Sequence, residues 1–169
     1  MLRSNHLIGF GVGGVSLPPQ TGLDVLPVMT SATTSGVTIS DSPATGSPFE
    51  SWKAADSSLG SRFGGTMSPT WWWKVDFGAG ATQYLASYKL TSWDTSNRMP
   101  AAWDFQGSND DSAWTTIESR SGQTFSVTNG TNTYTLSAVA GPYRYYRFNV
   151  TANEAGGSTI EIADVQLIY

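Results

Sequence analysis

Four residues suited to recognition fall within nine positions of the chain. The stretch "SWDTSNRMP" (92–100) carries Trp93, Asp94, Asn97 and Arg98. An indole covers the C–H side of a sugar ring, and a carboxylate, an amide and a guanidinium read its neighbouring hydroxyls. The same residues also have a plainer use. Arg98 precedes a proline-bounded strand and can pair with a carboxylate, and Trp93 can cap one end of the fold. Catalytic chemistry is poorly served. His6 is the sole histidine and there is no cysteine, so histidine triads, histidine metal clusters and thiolate chemistry have no residues to use. Asp94 and Glu154 are available as a carboxylate pair for glycoside hydrolysis, but nothing in the sequence sets their separation. The glycines of "GFGVGG" (9–14) do not lead from a strand into a helix, so they make no nucleotide fingerprint. The expectation is a domain that is not an enzyme.

The elements that position these residues are short strands. At 169 residues the chain is long enough for one domain with a full hydrophobic core. Nine Lys and Arg stand against thirteen Asp and Glu, with no basic run, so no nucleic-acid partner is expected. No stretch approaches the roughly 18 apolar residues of a membrane span, and no membrane insertion is expected. Ser, Thr, Gly and aromatic residues are abundant, as in extracellular-type β domains. Residues 1–27 read as a Gly- and Pro-punctuated arm for attachment or oligomer contacts, or else as a partly disordered tail. "LIGFGVGGV" follows Arg3 but is broken by glycines and lacks a clean cleavage site, which argues against a signal peptide.

Residues 28–169 read as the folded domain. Strands are expected at 84–93, 101–108, 143–152 and 160–169, with no convincing helix. Asn129-Gly130 lies between two β-rich runs and predicts a hairpin over 125–136. The apolar parity of the last strand changes at Ala163-Asp164, which predicts a bulge or bend. In "TWWWKVDFG" (70–78), period-2 alternation puts Trp71, Trp73, Val75 and Phe77 on one face and Trp72, Lys74 and Asp76 on the other. The first set reads as core, and Trp72 is left on the polar face. Asn129-Gly130-Thr131 and Asn149-Val150-Thr151 fit the glycosylation pattern, but turn and strand placement already explain them. The pattern predicts an all-β fold, an antiparallel jelly roll or β-sandwich.

Five segments in order carry a resemblance: "SWKAADSSLGSRF" (51–63), "WWKVDFG" (72–78), "NRMPAAWDFQGSNDDSAWTTI" (97–117), "PYRYYRFNVTAN" (142–153) and "IADVQLIY" (162–169). Residues 30–169 resemble a discoidin, or coagulation-factor C-type, domain, and most closely the bacterial family-32 carbohydrate-binding modules. The resemblance implies a galactose-binding-like jelly roll whose end loops bind glycan, or in some animal members lipid or protein. The chain departs from the usual pattern at Ser57-Ser58 and at Phe63, and it lacks the disulfide of animal members. The opening "MLRSNHLIGFGVGG" is similar to that of small tailed-phage virion proteins.

The resemblance also implies positions. Arg62, Asn153 and Glu154 join Trp93, Asp94, Asn97 and Arg98 at the ligand end. Asp56 and Asp164, with oxygens from Ser58 and Ser61, take the place of a structural Ca²⁺ site. Without a cation, Asp56 caps its own turn and Asp164 bonds nearby backbone N–H groups. Trp103 and Trp114 fall on core positions, and the acidic "SNDDSAW" (108–114) on a hairpin turn rather than a metal site. The expected partners are a bacterial surface glycan and, through the arm, other virion proteins. Many copies on a phage-like particle would make the binding multivalent, and the location is a virion or the extracellular space. Two further readings remain: a structural virion decoration or adaptor protein, and a secreted accessory module of a glycosidase.

Overall fold

A computed structural model describes residues 22–66 and 71–169. Eleven strands run through them: β1 Thr33–Thr34, β2 Val37–Ser42, β3 Phe63–Thr66, β4 Trp71–Asp76, β5 Gln83–Thr91, β6 Pro100–Ser108, β7 Thr115–Arg120, β8 Thr131–Tyr143, β9 Tyr145–Asn153, β10 Thr159–Ile162 and β11 Asp164–Ile168. A six-stranded sheet has the order β1-β2-β4-β9-β6-β7, a three-stranded sheet the order β11-β5-β8, and β3 pairs with β10. All these pairings are antiparallel. The chain is an all-β antiparallel sandwich. No helix among the described residues is long and apolar enough to cross a membrane.

Alternation explains where the core sits. Trp71, Trp73 and Val75 are fully buried, while Trp72 and Lys74, between them, are half-buried. β4 lies between β2 and β9, with Trp73 opposite Phe148, so both its edges are hydrogen-bonded. Tyr88 of β5 joins the two main sheets, its ring 4.5 Å from that of Phe105 and 5.1 Å from that of Phe148. Its hydroxyl accepts from Trp103 Nε1 at 2.9 Å and donates to Glu118 Oε1 at 2.5 Å. The Tyr88 hydroxyl and the Trp103 indole N–H are thereby both satisfied.

The parity change at Ala163-Asp164 is a corner between sheets. β10 ends at Ile162 against β3, and β11 starts at Asp164 against β5. Ala163 N–H donates to Thr91 O at 2.9 Å and pins the corner to the end of β5.

Several expectations are corrected. The hairpin over 125–136 does not form, because residues 125–128 are not a strand and β8 pairs with β5 instead. Asn129-Gly130 is a turn, with Asn129 at φ 57. It docks on Ser92, whose Oγ accepts from Gly130 N–H at 3.0 Å and donates to Val127 O at 2.5 Å. A Cβ on Gly130 would stand 2.8 Å from Val127 O, so the tight approach needs glycine. A 3₁₀ helix, Ser51–Ala55, occurs where no helix was expected. Trp73 Nε1 donates to its Ser51 carbonyl at 2.9 Å. Trp114 is not core. It stands half-buried on the outer face with the Arg147 guanidinium 4.0 Å over its ring.

The 108–114 turn joins β6 to β7, and Asp110 organises it by accepting from Ser112 and Ala113 N–H at 2.9 and 2.8 Å. Those N–H groups hold its carboxyl down to about 2. At the other end of the chain, residues read as arm belong to the sandwich. Val25 N–H donates to Leu167 O at 2.7 Å, Asp24 bridges Ile168, and Leu26 is buried. Residues 1–21, the rest of the expected arm, lie outside the described residues.

Candidate functional site

One end of the sandwich gathers the loops that carry most of the expected ligand residues. β5 ends there at Thr91 and β6 begins at Pro100, so the 92–99 loop crosses this end. β9 ends there at Asn153, and β3 enters it just after Arg62. The strands fix the loop ends by their pairing, and the loops are then laced together. Glu154 N–H donates to Met99 O at 3.1 Å, Ala155 N–H to Asn97 O at 2.8 Å, and Glu161 N–H to Arg98 O at 3.0 Å.

Arg62, Trp93, Asp94 and Arg98 come together around a residue not singled out from sequence, Glu161. Its carboxylate is almost fully buried. Oε1 accepts from Arg98 Nη1 at 2.8 Å and lies 3.1 Å from Arg62 Nε. The Arg62 guanidinium is in turn 4.7 Å from the Trp93 ring and 4.5 Å from the Phe49 ring. A flat cation sits on two aromatic rings while its edge meets a carboxylate, an arrangement a lysine cannot reproduce. Arg98 keeps 43% of its side chain in solvent. Asp94 accepts from Ser96 N–H at 2.8 Å and from the Ser96 hydroxyl. The Ser96 hydrogen bonds, reinforced by Arg98 and Arg62, hold its carboxyl below the usual range. Two guanidiniums thus face two carboxylates. The cluster presents directional donors and acceptors with no net charge.

The other three expected ligand residues act differently. Asn97 is exposed with φ 61, a turn position, and its carbonyl holds Ala155. Asn153 is buried, with its amide donating to Thr159 O and accepting from Gly157 N–H at 2.9 Å. Both ends of that amide are used within its own loop. Glu154 Oε1 accepts from Phe125 N–H at 2.7 Å, tying the 121–130 loop to this end. Glu154 and Asn153 therefore shape the loops. Glu161 had one available signal: it is the single charge between Ile160 and Ile162 in an apolar run. Phe49 had none.

The expected cation residues adjoin this end. Asp56 caps the 3₁₀ helix, with Oδ1 accepting from Ser58 N–H at 2.8 Å and Oδ2 from Ser61 Oγ at 2.6 Å. Ser58 Oγ accepts from Gly60 N–H at 3.1 Å. Asp164, buried, opens β11, which packs against the same helix. Among the described residues no group of three or more His, Cys, Asp or Glu comes together. The Asp56 carboxylate and the Ser58 and Ser61 hydroxyls are oxygens of the hard type that Ca²⁺ takes, and both Asp56 oxygens already accept hydrogen bonds from this loop.

No protein-family model matches this chain, and no curated relative does. Solved structures do. The F5/8 type C domain of a Bacteroides fragilis protein superposes with a TM-score of 0.66 at 12% identity, over 79% of this chain and 91% of its own. The family 32 CBM from C. perfringens NanJ, solved in complex with galactose, gives 0.62 at 13% identity, over 80% and 95%. Chitosan-binding module 1 of a chitosanase/glucanase from Paenibacillus sp. IK-5 gives 0.62 at 20% identity, over 78% and 94%. The fold is therefore that of the family-32 module and F5/8 type C β-sandwiches.

Proposed function

We propose that this chain is a non-catalytic carbohydrate-binding domain that reads bacterial surface polysaccharide through the loop end around Arg62, Trp93, Asp94 and Arg98. The observation that carries the proposal is the buried Glu161 carboxylate holding two arginines, one of them laid on Trp93. Such a cluster presents oriented N–H donors beside an aromatic surface, the combination that sugar rings require. Structural neighbours that bind galactose and chitosan support the same reading. Display in many copies on a phage or phage-like particle, docked through residues 1–21, would convert weak single-site binding into avidity.

The test is retention of the protein on immobilised bacterial capsule or cell-wall polysaccharide, with Trp93→Ala and Arg98→Ala as controls. Retention lost in both variants supports the proposal. No retention of the native protein, together with particle assembly that fails when residues 1–21 are deleted, would instead favour a structural virion component.

Two predictions belong here. Because the Asp94 carboxyl is held below its ordinary value, it stays charged through mild acid. Sugar affinity is expected to be level from pH 7 to 5 and to fall only below about pH 4. Calorimetric titration across this range checks it, and a loss of affinity near pH 6 would contradict it. The second concerns Ca²⁺, which we assign to Asp56, Ser58, Ser61 and Asp164 as a structural ion. Calcium is expected to raise the melting temperature by a few degrees, with the rise reversed by a chelator and absent in Asp56→Asn. An equal melting temperature with and without calcium would mean that the hydrogen bonds of Asp56 alone hold this corner.

A further inference from the structure

Beyond Phe49 the same end of the sandwich contains a cleft of about 360 Å³, lined by Pro43, Thr45, Gly46, Phe49, Gly64 and Thr66. Its position relative to the arginine cluster is set by shared residues. Phe49 bears the Arg62 guanidinium on its ring and is also a wall of the cleft. Glu161 is paired with Gly64 across β10 and β3, and a Cβ on Gly64 would lie 3.7 Å from Glu161 Cγ and 3.5 Å from Phe49. The carboxylate that anchors both arginines thus has its stem beside the glycine at the floor of the cleft.

Phe49 is itself held in place, its carbonyl accepting from Gly64 N–H at 3.2 Å and its N–H donating to Gly46 O at 3.1 Å. The floor is polar. Thr45 Oγ1 donates to the buried Asp41 Oδ2 at 2.7 Å. A Cβ on Gly65 would lie 3.2 Å from Thr45 Oγ1 and 3.1 Å from Trp71 Nε1. That indole N–H, fully buried beneath Thr45, has no acceptor among the described residues.

We infer that this cleft is a second saccharide subsite, continuous with the arginine cluster across Phe49, so that the domain binds two or more linked sugar units rather than one terminal sugar. The inference rests on the reading of the cluster as a glycan site. One sugar unit sits at Trp93 and Arg98. The chain then passes over Phe49, and the next unit enters the cleft between Phe49 and Thr45. Gly46 and Gly64 leave the space that it occupies. An aromatic wall with hydroxyls opposite it, and no charge exposed on the lining, suits a neutral sugar ring.

The experiment is calorimetric titration of the full chain with galactose, N-acetylglucosamine and the β-linked di- and trisaccharides built from them, using native protein, Gly64→Val and Phe49→Ala. Gly64 has no positive φ, and a Cβ there makes only ordinary contacts, so a side chain at this position narrows the cleft without straining the backbone. Unchanged melting of Gly64→Val confirms that it folds. The expected result is an affinity at least about tenfold higher for a disaccharide than for its monosaccharide, with Gly64→Val and Phe49→Ala each erasing most of that gain.

Equal affinity for one and two units, or a gain that survives Gly64→Val, overturns the second subsite and leaves the cluster reading intact. Binding of none of these sugars, together with no retention on polysaccharide, overturns the cluster reading and this inference with it.

Discussion

Glu161→Gln is expected to cut glycan affinity about tenfold, or about 1.4 kcal/mol, and to lower stability at the same time. The reason is geometric before it is electrostatic. Glu161 Oε1 is the shared partner of Arg98 Nη1 and Arg62 Nε. Glutamine has the same shape but no charge, so two guanidiniums are left close together with Asp94 as their only remaining counter-charge in the cluster. Removing one member of a buried charge cluster costs roughly 3–5 kcal/mol when every member is buried. Here Arg98 is 43% exposed and water screens part of the repulsion, so a loss of about 2 kcal/mol is expected. Arg62 keeps its contacts with Phe49 and Trp93 and stays near its place, whereas Arg98 swings free. The variant is therefore expected to melt at lower temperature and to bind sugar weakly. Native-like melting and native-like affinity in Glu161→Gln would mean that the cluster does not organise the site.

The largest stability effect is expected from Trp73→Ala, and its contrast is Trp72→Ala one residue away. Trp73 is fully buried, packs on Phe148 at 6.0 Å between ring centres, and donates from Nε1 to Ser51 O. Truncating a buried tryptophan costs about 3–5 kcal/mol, and the Ser51 carbonyl loses a partner as well. That is a large share of the roughly 5–15 kcal/mol by which a domain is stable, and the melting temperature should fall by about 10 °C or more. Trp72 points outward, with Lys74 Nζ 4.8 Å over its ring. Lys74 also pairs with Asp111 at 2.6 Å, so it remains anchored if the indole is removed. Trp72→Ala should cost no more than about 1 kcal/mol. Chemical denaturation of the two variants checks the difference, and equal losses would contradict the assignment of faces.

These two variants show what could be read from the sequence and what could not. The division of Trp71, Trp72 and Trp73 follows from a period of two, and the structure keeps it. The corner at Ala163-Asp164 was visible as a change of parity, although not that the two halves join different sheets. Local signals failed where the deciding partner is distant in sequence. Asn129-Gly130 has the residues of a hairpin turn, but β8 finds β5 as its partner and the turn docks on Ser92. Trp114 lies just outside β7, so strand alternation says nothing of its direction, and Arg147 draws it to the outer face. Glu161 was overlooked for the same reason. Its arginines come from just before β3 and from the 92–99 loop, and no spacing in the sequence links the three. Asn153 and Glu154 carry the right chemistry in the right loop, but Asn153 is occupied by backbone groups of its own loop and Glu154 by the Phe125 N–H of a neighbouring one.

The central claim is that sugar binds at the loop end beside Trp93 and Arg98, and the indole N–H signals of the seven tryptophans test it most directly. In ¹⁵N-labelled protein titrated with a retained oligosaccharide, the account predicts that the Trp93 signal moves together with the Arg62 and Arg98 guanidinium signals. The signals of Trp73 and Trp103, buried and already hydrogen-bonded, should stay in place. Movement confined to Trp72 and Trp114 on the outer face of the large sheet, with Trp93 unmoved, would contradict it.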